Sequence, residues 1–226
     1  MNWIEKSAAN GKNLKRQYTL RDIEIFIKDN LPEQIDPDFV LKYVASVIPE
    51  HLLSNVDIIY IGQFEKLLGR DVRAVFEDGA IFITNEQDSE MDLIDDLIHE
   101  ISHSTENQYK DIIYADGLLE KEFKRKRESL YNILKEKNLK PPVSLLHSIN
   151  YEQEIDDYLF REVGYPALNQ IAAMSGLFIG SYSITSIREY FASGFEHYFM
   201  NEKQLVYDVC PVLYGKLKEL DNLEDQ

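Results

Sequence analysis

Asp78-Gly79 stands between two short apolar runs, VRAVFE and AIFIT, and constrains the fold more than any other feature of the chain. An Asp-Gly pair takes positive φ at both positions with little strain, so it closes a two-residue hairpin whose strands twist correctly. The flanking runs are β-branched and aromatic, and a third such run, DIIYI at 57–61, precedes them. From Asn85 onward the apolar spacing changes to that of helices, almost to the end of the chain. The expectation is an α+β fold, with a small mixed or antiparallel sheet near the N-terminus and a mostly helical C-terminal half.

Other segments read less directly. Asp36-Pro37 opens a helix over FVLKYVASVI, with apolar residues at Phe39, Val40, Tyr43, Val44 and Val47, and Pro49 interrupts it. Thr19-Leu20-Arg21-Asp22 reads as an N-cap before IEIFIKDNL and predicts a short helix that Pro32 ends. Residues 1–18 are polar and basic and are expected to be poorly ordered. Residues 1–34 as a whole are expected to form an N-terminal extension, followed by a single domain at 35–226. Downstream of the hairpin, helices are expected near 89–106, 117–137, 151–163, 166–178, 186–200 and 203–220. Pro141-Pro142 marks the clear internal break, and NLEDQ ends the chain as a frayed tail.

Composition narrows the class. With 226 residues, 44% of them hydrophobic, the chain can fill a sizeable core. Its 24 basic residues face 40 acidic ones, a formal net charge of −16, which argues against nucleic acid as a partner because phosphate binding needs a basic footprint. A protein or peptide partner of basic character fits this surface better. One cysteine, Cys210, excludes an intrachain disulfide, and its neighbours suggest packing at a helix start rather than a nucleophile. No apolar run approaches the roughly 20 residues of a membrane span. Ile171–Gly180 is broken by Ser175 and Gly176 and reads as a buried helix. The first residues carry no apolar signal-peptide core, so a cytoplasmic location and export by another route both stay open. A monomer is expected.

The chemistry centres on LIHEISHST at 97–105. His99 and His103 are four residues apart, so on a helix their rings leave one face a turn apart, and Glu100 sits beside them. That arrangement suits a catalytic zinc ion, with the two imidazoles as ligands and the carboxylate as a base for water. The preceding MDLIDDLI has the apolar spacing and acidic first turn of a partly buried helix. A catalytic zinc needs a third protein ligand. Glu152 or Glu154 in NYEQEIDDYLF is one candidate, though an acidic cluster usually faces solvent. Glu189 in SITSIREYFASGFEHYF is the other, since its helix is rich in aromatic residues. His51, His147 and His197 read as surface or packing residues.

The stretch Tyr182-Ser-Ile-Thr-Ser-Ile-Arg-Glu189-Tyr-Phe-Ala-Ser-Gly-Phe195 resembles the C-terminal signature of the anthrax lethal factor-like metallopeptidases, a group that includes the secreted Pro-Pro endopeptidases. Cys210-Pro-Val-Leu-Tyr214 is similar to that family's last helix start. IDPDFVLKYVASVIPEHLLSNVDIIYI resembles its upstream helix, turn and first strand, so the resemblance covers about Ile35 to Leu220 in order.

The resemblance implies a zincin-like fold and a zinc-dependent endopeptidase with one catalytic zinc ion. His99, His103 and Glu189 match the ligands, Glu100 the general base and Tyr182 the phenol that stabilises the oxyanion. It also implies that the strand AIFIT lines the cleft and pairs with extended substrate. The stretch between His103 and Tyr182 is longer than the family pattern. The surplus is expected as a solvated helical insertion at about 110–165. Ser193 stands where the family often has Glu, and Glu196 is the candidate to replace it beside a histidine. Two alternatives differ in kind: a regulatory intracellular metalloprotease with Glu154 as third ligand, and a catalytically silent binding domain of the same fold.

Overall fold

The computed structural model describes residues 17–68 and 72–223, and its contacts divide the chain into two compact units that meet in sequence between Thr105 and Glu106. The first unit is built on a five-stranded mixed sheet. Its strands are β1 (Gln17–Leu20), β2 (Ile23–Ile27), β3 (Ile58–Ile61), β4 (Ala74–Glu77) and β5 (Ala80–Ile83), in the spatial order β1-β2-β3-β5-β4. The three central strands are parallel, and β1 and β4 close the two edges antiparallel to their neighbours.

The hairpin forms as its sequence dictates, with φ of 50° at Asp78 and 80° at Gly79. Asp57 packs so closely on this turn that a side chain at Gly79 would collide with it, and Asp57 N–H donates to the Gly79 carbonyl at 2.7 Å. The expected helix at IEIFIKDNL is instead β2, and residues 17–27 are not an extension but an antiparallel pair within the sheet. The alternation Ile23-Glu-Ile25-Phe-Ile27 has the two-residue period of a strand, and Arg21 turns the chain at φ 53°. The expectation for residues 1–16 lies outside the described residues.

Period two also sorts the sheet's faces. Ile25, Ile59, Ile61, Ile81 and Ile83 are buried. Phe26, Tyr60 and Phe82 lie across from one another on the other face and stack at 5.9 and 5.1 Å between ring centroids. Helix α1 (Pro37–Val47) begins as read, with Asp36 accepting from Asp38 N–H at 3.0 Å and Pro37 in the first turn. A 3₁₀ turn (Glu50–Leu53) and the short α2 (Glu65–Leu68) follow. Val40 and Leu41 of α1 share one apolar space with Ile25, Ile61, Leu93 and Leu97. Burying an aliphatic side chain of this size contributes about 1.5–3 kcal/mol, so this face is the unit's main source of stability.

Helix α3 (Glu90–Tyr114) runs eight residues beyond the expected end, with a non-helical residue at Tyr109. The second unit takes its last part and adds α4 (Leu118–Glu136), α5 (Ser144–His147), α6 (Gln153–Asp157), a π-helical turn (Tyr158–Val163) and α7 (Tyr165–Ser175). A 3₁₀ turn (Tyr182–Ile184), α8 (Ile187–Phe199), α9 (Lys203–Val209) and α10 (Pro211–Asp221) complete it. One helix was expected over 203–220; Pro211 cannot donate to the ladder, so the chain breaks at Cys210. Ile171–Gly180 is not a buried helix: α7 stops at Gly176 and Met174 is exposed.

The expected solvated insertion is corrected most sharply. Helix α4 buries Leu119, Glu122, Phe123, Lys126, Arg127, Leu130 and Leu134, a stripe at helical spacing. Phe123 packs with Phe178 and Tyr190 at 6.3 and 5.4 Å between ring centroids. The charged residues on the stripe hold chain ends. Glu122 accepts from Val212 N–H at 2.9 Å, Leu213 N–H at 3.3 Å and the Tyr190 hydroxyl at 2.9 Å, and so caps α10. Lys126 donates to the carbonyls of Leu177 and Val209.

Candidate metal centre

Ser89 starts α3 by accepting from Asp92 N–H at 3.2 Å, and Glu90 and Asp92 place negative charge in the first turn. Leu93, Ile94, Leu97, Ile98 and Ile101 are buried, which fixes the rotation of the helix about its axis. Their four-residue spacing puts His99 and His103 on one face, their rings 4.9 Å apart and nearly perpendicular. The potential ligand atoms of His99, Glu100 and His103 all lie within 4.8 Å of one another. His103 and Glu100 are buried at 6% and 5% exposure, and His99 is half-buried. Two imidazoles and a carboxylate gathered this closely form a group that could hold a metal ion.

The surrounding polar groups stabilise the helix. Thr105 Oγ1 donates to the carbonyls of Ile101 and Leu52, and Asn55 donates to that of Ser104, tying the 50–53 turn to α3. Asp96, one turn before His99, accepts from Gln87 at 2.8 Å and pairs with Arg73 at 3.4 Å. Burial raises the Asp96 carboxyl above its usual range, against the lowering effects of Gln87, Arg73 and His99. This network was missed in the sequence, although the spacing of Asp96, His99 and His103 puts all three on one helix face.

Tyr182 and Glu189 belong to the second unit. Tyr182 opens the 3₁₀ turn and is 45% exposed. Desolvation of its phenol and the carboxylate of Glu189 both push its pKa up, so the hydroxyl keeps its proton. Glu189 lies in the first turn of α8, where its N–H donates to the Ser186 hydroxyl at 3.1 Å. Ser186-x-x-Glu189 has the form of a capping box, and a helix N-terminus favours an acid there, so position alone does not assign Glu189 to a metal. Its neighbour Arg188 pairs with Glu106 at 3.2 Å, and Glu106 also accepts from the Tyr114 hydroxyl.

The other candidates are placed plainly. Glu154 is exposed and accepts from the Ser144 hydroxyl at 2.8 Å. His147 is exposed, and His197 pairs with Glu202. Cys210 is fully buried, and burial pushes its thiol up to about 11, away from nucleophilic chemistry at neutral pH. The role expected of AIFIT fails on topology: β5 lies between β3 and β4, with neighbours bonded on both sides, and the sheet's outer strand there is β4. Among the described residues no helix is long and apolar enough to cross a membrane. No protein-family model, curated protein or solved structure matches the chain.

Proposed function

We propose that this protein is a zinc-dependent endopeptidase. The observation that carries the reading is the convergence of His99, Glu100 and His103 within 4.8 Å on one helix. In this reading His99 and His103 hold the ion and Glu189 adds the third protein ligand. Zinc supplies a Lewis acid that makes water nucleophilic near neutral pH. Glu100 takes a proton from the attacking water and returns it to the leaving amine. Tyr182, kept protonated by desolvation and Glu189, donates to the substrate oxygen as negative charge builds there, worth a few kcal/mol in a dry site. As the outer strand, β4 offers main-chain groups to an extended peptide.

The test is cleavage mapping of a diverse peptide library by mass spectrometry, with zinc-loaded protein beside Glu100→Gln. Cuts made by the native protein and absent from the variant support the reading and give the sequence preference. No cuts from folded protein carrying one zinc ion overturn the reading as a broad endopeptidase.

A further inference from the structure

Among the described residues Arg127 is the largest fully buried side chain, at 0% exposure. Its guanidinium donates only to carbonyl oxygens in the bonds that hold it. Nε and Nη2 reach Ile184 O at 2.9 and 2.6 Å, Nη2 also reaches Thr185 O at 2.7 Å, and Nη1 reaches Ser148 O at 2.6 Å. The ring of Phe123 lies 4.6 Å from its central carbon. Burial weakens its hold on the proton, but a guanidinium stays charged at physiological pH.

Burying a cation costs several kcal/mol, and apolar residues of similar volume commonly replace buried charges with no loss of stability. Bulk packing is therefore a poor reason for an arginine here. The bonded carbonyls say more. Ile184 and Thr185 end the 3₁₀ turn, where carbonyls lack partners within the turn. Thr185 folds back, its N–H and hydroxyl both donating to Tyr182 O at 3.0 and 2.8 Å. Ser186 then caps α8, and Ile187 N–H donates to Ile149 O at 2.8 Å, beside the gripped Ser148. Tyr182 lies two residues before the gripped pair, and Glu189 four residues after it.

We propose that Arg127 is a positioning residue for the candidate centre, its grip on the carbonyls of Ser148, Ile184 and Thr185 fixing both the turn that carries Tyr182 and the start of α8 that carries Glu189. This rests on the endopeptidase reading. Arg127 touches no reacting atom and acts through the backbone. A lysine there supplies a charge but not the planar fork that joins three carbonyls.

The experiment compares native protein, Arg127→Lys and Glu100→Gln well below their unfolding temperatures. Zinc affinity is read by competition with a chromogenic chelator, and kcat and KM on the best library peptide. Arg127→Lys is expected to bind zinc about tenfold more weakly and to lose about tenfold in kcat at saturating zinc, with KM little changed. A lysine variant with native affinity and native kcat overturns the positioning role while leaving the endopeptidase reading intact. Native protein that binds no zinc, or Glu100→Gln that still cleaves, sinks that reading instead.

Should the lysine variant not fold, unaltered protein still decides. Coupling is reciprocal, so zinc must slow exchange of the Arg127 Nε–H proton, read by NMR with and without the metal. Slowing by about tenfold is the expected result. Equal exchange in the two forms overturns the proposal.

Discussion

The two units hold themselves together differently. In the first, the main source of stability is an aliphatic face, and among its described residues buried polar side chains fall on Gln87 and on Glu100–Thr105. In the second, Glu122, Lys126, Arg127 and Lys216 are buried, each bonded to backbone groups that end a helix or turn. A charge inside the second unit thus has a visible architectural task. In the first unit the buried polar side chains other than Gln87 gather on the single stretch Glu100–Thr105 of α3, where Thr105 also holds the Leu52 carbonyl. The contrast lies in that clustering, which brings Glu100 and His103 together with His99.

The comparison can be broken, most forcefully at the histidines. His103→Ala is expected to abolish zinc binding and cut cleavage by more than about 100-fold, while thermal unfolding of the metal-free protein changes little. A large loss of stability in that metal-free variant would make His103 an architectural residue like Glu122. Glu122→Ala should do the reverse, destabilising the protein by about 3 kcal/mol because the amides of Val212 and Leu213 lose their acceptor. Calorimetry should then show unfolding lowered by about 10 °C.

Cys210 sharpens the contrast through pH. Its folded pKa, raised from 9.0 to about 11, means the folded chain keeps a proton that the unfolded chain releases. The associated stability is complete below about pH 9 and is lost as pH rises through 11, an effect of about 2–3 kcal/mol. Denaturant titrations under reducing conditions should show a flatter decline between pH 9 and 11 for Cys210→Ala.

The two smallest effects probe one helix in each unit. A methyl group on Gly194 would collide with Leu213, so Gly194→Ala should cost about 1–2 kcal/mol despite alanine's better helix propensity. Asp36→Ala should cost about 1 kcal/mol through loss of the α1 cap. Chemical denaturation measures both.

The sequence was legible where local chemistry and tertiary packing agree. The Asp78-Gly79 hairpin, β3, α1 and the paired histidines of α3 follow from dipeptide, period and cap. IEIFI was misread because its N-cap-like prefix drew attention away from a plain alternation. The buried face of α4 was not legible: Glu122, Lys126 and Arg127 resemble a solvated run until the carbonyls and amides they serve are brought from 51 or more residues away in most cases. AIFIT was recognised as a strand, yet its place inside the sheet depends on pairing order, which no short stretch records.

The ladder of Phe26, Tyr60 and Phe82 has an optical consequence. Its rings come from three parallel strands far apart in sequence, and they stack only when every register is correct, since a slip of one residue would swap each ring for an isoleucine. Near-ultraviolet dichroism from this stack therefore reports completion of the sheet, whereas the far-ultraviolet signal is dominated by helices that need only local contacts. In a refolding experiment the two signals should separate in time, the aromatic band arriving last.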